Sequence, residues 1–174
     1  DSIHGWFIQY LPIGKILLIR FLFCSFVQSK ILEFSIYTEG KDSIENVIIQ
    51  LATGKNRTVS TAESCTGGLI AGCLTEIAGS SDVVDRGFVT YSNEAKNVML
   101  DVPMRLIERH GAVSESVART MAEGALANSF AVLSVAVTGV AGPGGGTVEK
   151  PVGLVHLACA KRGGKTLHRA ERYG

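Results

Sequence analysis

At 174 residues and a formal net charge of +1, the chain is long enough to bury a sizeable core and carries no large excess of either sign. Hydrophobic residues make up 46% and charged residues 19%, which excludes a disordered chain. The basic residues are not massed on one segment after Gly40, which argues against a nucleic-acid partner.

The first forty residues differ from the rest. The run "ILLIRFLFCSFV" (16–27) is apolar, but it is shorter than the roughly 20 residues a spanning helix needs, and Arg20 interrupts it. Three readings stay open for it: a membrane-prone tail, a packed helix, or a translated extension foreign to the domain. Residues 1–40 are therefore set aside as an apolar N-terminal extension, and 41–174 as the functional domain.

From Lys41 the pattern becomes regular. Asp42 with Glu45 resembles a capping box, and Ile44, Val47, Ile48 and Leu51 follow at helical spacing up to Gly54. "RTVSTA" (57–62) is β-branched and predicts a strand. Leu69, Ile70, Cys73, Leu74 and Ile77 make one face of a helix ending near Gly79. "GFVTY" (87–91) predicts a second strand, and "NEAKNVML" (93–100) a short helix capped by Ser92 or Asn93. Another short helix runs from Pro103 to Gly111, and Ser114 caps a long one with Val117, Ala118, Met121, Ala122, Ala125 and Leu126 inward. "AVLSVAVTG" (131–139) suits a central strand covered on both faces. A glycine-rich loop follows (140–147), and "KRGG" joins the last two strands as a hairpin. The expected fold is a three-layer α/β/α sandwich with a mixed, mostly parallel sheet and a C-terminal β-hairpin.

The four cysteines, at 24, 65, 73 and 159, form no C-x-x-C pair, and no histidine spacing completes a zinc pattern. Reduced thiols, a cytoplasmic location, no metal and no cofactor are the expectation.

The stretch "TAESCTGGLIAG" (61–72) places Ser64 and Cys65 where a strand gives way to a helix. Ser64 is either the cap of that helix or a nucleophile facing its unpaired N–H groups, which can hold an oxyanion. Gly67 and Gly68 let a ligand approach the backbone. A serine nucleophile needs a base. Lys96 is the candidate if the two strands are neighbours, since both strand ends then open on one sheet edge and a partly buried amine has a lowered pKa. Taken alone, Lys96 also reads as a solvated helix lysine. Cys65 is the rival nucleophile, with its pKa expected to fall at a helix N-terminus and with His110, His156 or His168 as bases; it ranks below Ser64. The glycine loop can cradle a phosphate with its N–H groups or be a surface turn, and Lys150 can neutralise an anion there.

The motifs "TAESCTGGLIAG", "GSSDVVDRGFVTYSNEAK", "GAVSESVA", "VAVTGVAGPGGGT", "EKPVGLVHLA" and "RYG" together resemble the CinA C-terminal family, the nicotinamide mononucleotide deamidases, over Lys41 to Gly174. The resemblance implies hydrolysis of the nucleotide's carboxamide to nicotinate mononucleotide and ammonia, in pyridine nucleotide salvage. It matches Ser64 to the catalytic serine and Lys96 to the lysine of a Ser-Lys pair, with Tyr91 lining the pocket. Cys65, Thr66, Gly67, Gly68, Asn93, Thr138, Gly139, Gly142, Pro143, Gly144 and Lys150 fall in the stretches that would receive the nucleotide. It further implies a homodimer or higher homo-oligomer and a family pattern that runs past "RYG" into an arginine-bearing segment and a final helix; no membrane partner is expected, with residues 1–40 left open. By that measure 41–174 lacks the final helix, and a non-catalytic nucleotide-binding module is the alternative to the enzyme.

Overall fold

The computed structural model describes residues 43–173. The expectations for 1–40, and Asp42 as a capping residue, lie outside the described residues. Helix α1 (Ile44–Gly54) is capped by Ser43, whose hydroxyl accepts the Asn46 N–H at 3.3 Å, so the cap falls one residue later than the Asp42 expected from sequence.

Strand β1 (Val59–Glu63) continues one residue past the predicted strand, which makes Glu63 its last residue. Helix α2 (Leu69–Thr75) ends short of Gly79, and a 3-10 turn (Ser80–Asp82) follows. Strand β2 (Val84–Val89) begins and ends earlier than the predicted 87–91, because Asp85 and Arg86 are accommodated at the sheet edge, where polar side chains reach solvent. Helix α3 (Asn93–Leu100) is capped by Ser92, α4 (Met104–His110) starts after Pro103 and stops at Gly111, and α5 (Glu115–Ala127) is capped by Ser114. Strands β3 (Leu133–Gly139), β4 (Leu154–Lys161) and β5 (Leu167–Arg172) complete the sheet, the last two as the expected hairpin.

The strand order is β2-β1-β3-β4-β5. β1 lies parallel to both β2 and β3, while β3–β4 and β4–β5 are antiparallel. Only β4 runs against the other four, so the sheet is mixed with most strands pointing one way, as expected.

Alternation along the strands sorts the two faces. Val59, Leu133, Val135, Val137, Leu157 and Cys159 pack under α1 and α2 with Ile48, Ile49, Ile70 and Leu74. The opposite face is built from small residues, Ala62, Ala136, Ala158 and Ala160, and meets Ala118, Ala122 and Ala125 of α5, with Leu100 of α3 and Ile107 of α4 alongside. Ser134, on that same face, donates to the Ala122 carbonyl at 2.5 Å. Helix α5 also lies against the end of α3: a Cβ on Gly124 would sit 1.9 Å from the Leu100 carbonyl oxygen. In the turn after β4, the Arg162 guanidinium donates to the carbonyls of Leu126, Ser129 and Ala131, tying the hairpin to the end of α5. Among the described residues, no helix is long and apolar enough to cross a membrane.

Candidate active site

The three parallel neighbours β2, β1 and β3 end on the same edge of the sheet, where open α/β folds bind their ligands. Ser64 follows β1 directly and is held there by its N–H, which donates to the Val137 carbonyl of β3 at 3.0 Å. The chain then turns through Cys65–Gly68. Gly67 and Gly68 have φ of 60° and 99°, values that favour glycine. A Cβ on Gly68 would also press on Val89 at 3.2 Å, so β1's turn and the end of β2 lie in contact.

On the other side of the site, α3 leaves β2 through Thr90, Tyr91 and Ser92. Side chains on a helix lean back toward its N-terminus, and Lys96 accordingly returns to the turn it came from. Its Nζ donates to the Thr90 carbonyl at 2.8 Å and lies 3.4 Å from the carbonyls of Tyr91 and Ser92. It stands 3.0 Å from Ser64 Oγ. Lys96 is 1% exposed, so the solvated-lysine reading does not hold. Burial lowers the amine's pKa from the usual lysine value, against a smaller opposing pull from Cys65 and Glu94.

Ser64 is neither the cap of α2 nor at its N-terminus; Gly68 is the capping residue, and it makes no side-chain cap. The role is taken by Glu63. Its carboxylate, fully buried, accepts the N–H groups of Gly68 and Ile70 on Oε2, both at 3.0 Å, and that of Ala71 on Oε1 at 2.8 Å. The expected oxyanion site at the start of the helix is therefore already filled by a carboxylate. Cys65 and Thr66, within the turn itself, carry the N–H groups nearest Ser64 that neither a backbone oxygen nor Glu63 engages among the described residues. Thr66 Oγ1 is buried without a hydrogen-bond partner.

The expected fall in the Cys65 pKa is reversed. Burial pushes the thiol up to about 11, with Glu63 adding to the rise, and only its own backbone N–H and Lys96 oppose it. The thiol is half-buried against the α1/α2 core. Two of the three histidines named as its bases, His156 and His168, are engaged with each other and with Glu115. His156 Nδ1 is 3.0 Å from His168 Nε2, and His168 Nδ1 is 3.5 Å from Glu115.

The remaining candidates divide. Tyr91 contributes its carbonyl to the Lys96 environment, while the residue is 74% exposed. Asn93 is exposed at the first turn of α3. Thr138 is buried and its hydroxyl donates to the Ala112 carbonyl at 2.9 Å, which joins β3 to the segment before α5. Gly139 closes β3, where a Cβ would meet the Leu154 carbonyl at 2.8 Å. Beyond it, the Val140 N–H donates to the Leu154 carbonyl at 2.9 Å and the Val140 carbonyl accepts the Gly153 N–H at 2.8 Å, which closes the base of the glycine loop. Pro143 and Gly144 are exposed and Gly142 half-buried on its outward course. Lys150 is pinned back, its Nζ donating at 2.6 Å to the His110 carbonyl at the end of α4. No group of three or more metal-ligating side chains occurs among the described residues.

The sequence pattern and this geometry have counterparts. Residues 41–174 match the family model described as CinA C-terminal domain. A CinA-like protein of Akkermansia muciniphila is 53% identical over 124 residues, which is 71% of this chain and 30% of that relative. One of Anaeromyxobacter dehalogenans is 50% identical over 125 residues, covering 72% of this chain and 31% of the relative. The chain thus spans under a third of the length of these curated relatives. Among solved structures, a competence/damage inducible protein from Agrobacterium tumefaciens superposes with a TM-score of 0.74 at 62% identity, covering 75% of this chain and 79% of that one. A CinA superfamily protein from Escherichia coli gives 0.75 at 33% identity and 83% coverage of both. The chain belongs to the CinA C-terminal domain family.

Proposed function

We propose that the domain is a nicotinamide-nucleotide amidase, hydrolysing the carboxamide of nicotinamide mononucleotide with Ser64 as nucleophile and Lys96 as base. The observation that carries this is a buried amine of lowered pKa 3.0 Å from a serine hydroxyl at the ligand-binding edge of the sheet.

In its neutral form Lys96 can donate its two N–H groups to the surrounding carbonyls of Thr90, Tyr91 and Ser92, which leaves the nitrogen lone pair to accept the Ser64 proton. Ser64 Oγ adds to the amide carbon as its proton passes to Nζ. In this reading the N–H groups of Cys65 and Thr66 donate to the resulting oxyanion. The ammonium of Lys96 returns its proton to the departing nitrogen as the C–N bond breaks, and ammonia leaves. Water then adds to the acyl-serine, again with its proton accepted by Lys96. Collapse restores the serine and frees the carboxylate. The glycine loop, rooted at the end of β3 on the same edge, supplies N–H groups for the nucleotide phosphate. We place the protein in the cytoplasm and expect it to work as a homo-oligomer on a small-molecule partner.

Ammonia release should be measured with nicotinamide mononucleotide, its riboside and free nicotinamide side by side. The nucleotide alone should turn over efficiently. Binding of the nucleotide with no ammonia released would reject the enzyme and leave the non-catalytic binding module.

A further inference from the structure

We propose that Glu63 is a positioning residue for the Ser64–Lys96 pair, a role that rests on the amidase reading above. A carboxylate with 1% exposure is costly to bury unless its acceptor sites are filled. Here they are filled from one direction. Three N–H groups at the start of α2 and the Thr61 hydroxyl, 3.4 Å away, all converge on it. Gly68 and its neighbours offer no side chain for that task, so the helix start is secured from the strand that precedes it.

Because alternate residues of a strand face opposite ways, fixing the Glu63 side chain toward α2 fixes Ser64 toward α3. The Ser64–Gly68 turn is held at both ends: by Ser64 N–H on Val137, and by Gly68 N–H on Glu63. The backbone of Glu63 acts on the partner group. Its carbonyl accepts the Thr90 N–H at 2.7 Å and faces the Thr90 hydroxyl at 3.4 Å. The Thr90 carbonyl in turn is the shortest contact of Lys96 Nζ, at 2.8 Å. One residue therefore sets the turn that carries the hydroxyl and the loop that carries the amine's main acceptor, without touching either reacting atom.

Glu63→Gln keeps the shape and directs an NH2 group at one of the donors, Ala71 N–H or the Gly68 and Ile70 pair. Glu63→Asp keeps the charge and loses the reach. The test uses the full chain, with kcat and KM for nicotinamide mononucleotide and the rate at which a fluorophosphonate labels Ser64, each normalised to the folded fraction by near-UV circular dichroism. A displacement of the pair by an ångström costs on the order of 100-fold. Glu63→Gln should lower kcat and the labelling rate together by about 10- to 100-fold, with KM within about threefold. Should it not fold, Glu63→Asp carries the same expectation. A folded variant labelled and turned over within twofold of wild type overturns the proposal, as does a raised KM at unchanged kcat. If wild type labels but releases no ammonia, the labelling rate alone decides Glu63, and the amidase reading fails separately. If wild type neither labels nor turns over, there is no reactive serine to position, and both fall.

Discussion

Replacing Lys96 with Met is the sharpest single perturbation of the proposed chemistry. Met is apolar, unbranched and one atom shorter, so it suits the buried position and removes the group 3.0 Å from Ser64 Oγ. A positioned base contributes on the order of 10²- to 10⁴-fold to rate, so kcat should fall by that range, and KM should change by less than about threefold. Two effects on stability oppose each other. The Thr90 carbonyl loses its 2.8 Å donor, which costs about 1–3 kcal/mol if no water replaces it. The amine no longer has to be desolvated, and replacing buried charged groups with apolar ones is often neutral or stabilising. The melting temperature should therefore move by no more than about 12 °C. The pH dependence is also signed. With its folded pKa lowered, Lys96 is neutral in the fold while still charged when unfolded, between that value and about 10.4. Wild-type stability therefore gains a contribution as pH rises through this window, and activity rises as the folded amine deprotonates. The variant should lose both. Initial rates of ammonia release from pH 6 to 10, with thermal melts at the same points, provide the assay. A variant with kcat within threefold of wild type, or with raised KM and an unchanged pH profile, would refute the base assignment and make Lys96 an anchor.

Ser64→Ala should abolish ammonia release and retain nucleotide binding by calorimetry, whereas Cys65→Ala should change kcat by less than about threefold; the reverse pattern would exchange their roles. With its pKa pushed up to about 11, the Cys65 thiol should also resist iodoacetamide at pH 7. Gly124→Ala should destabilise the domain by at least about 1–3 kcal/mol, seen as a lower urea midpoint, because the new methyl meets the Leu100 carbonyl. His156 and His168 both have pKa values lowered by burial, so stability should fall as pH drops from about 7 toward 5 while the unfolded state takes up protons. A His156→Asn/His168→Asn variant should show a shallower decline in melting temperature over that interval.

Local chemistry made much of the fold legible. Ser92 and Ser114 cap the helices that follow them, Pro103 and Gly111 bracket α4, and the "KRGG" turn joins the hairpin, because each of these features is set by residues within one turn of it. Contacts made at long range were not legible in the same way. Lys96 reads as a surface lysine until β1 is set beside β2, which brings a residue 32 positions away against it. Glu63 is not legible from sequence, because a carboxylate at a strand end carries no periodic signal. Its partners lie five to eight residues ahead, across a turn whose shape only the two glycines announce. With β1 ending at Glu63 and α2 starting at Leu69, Ser64 and Cys65 lie before the helix N-terminus, whose electrostatic environment Glu63 occupies.

The unequal faces of the sheet bear on how this domain tolerates mutation. Under α1 and α2, the packing is aliphatic side chain against aliphatic side chain, and exchanges of similar volume can be absorbed by repacking. Under α5 the facing residues are mostly alanines, and at Gly124 the neighbour of an added carbon is the Leu100 carbonyl, which cannot rotate away. A random library should therefore return substitutions mainly from the first face and remain nearly silent on the second. Ser64 and Lys96 sit at the rim of that second face. On the first face, Glu63 is then the position where a substitution reaches their alignment, because its carboxylate holds the start of α2.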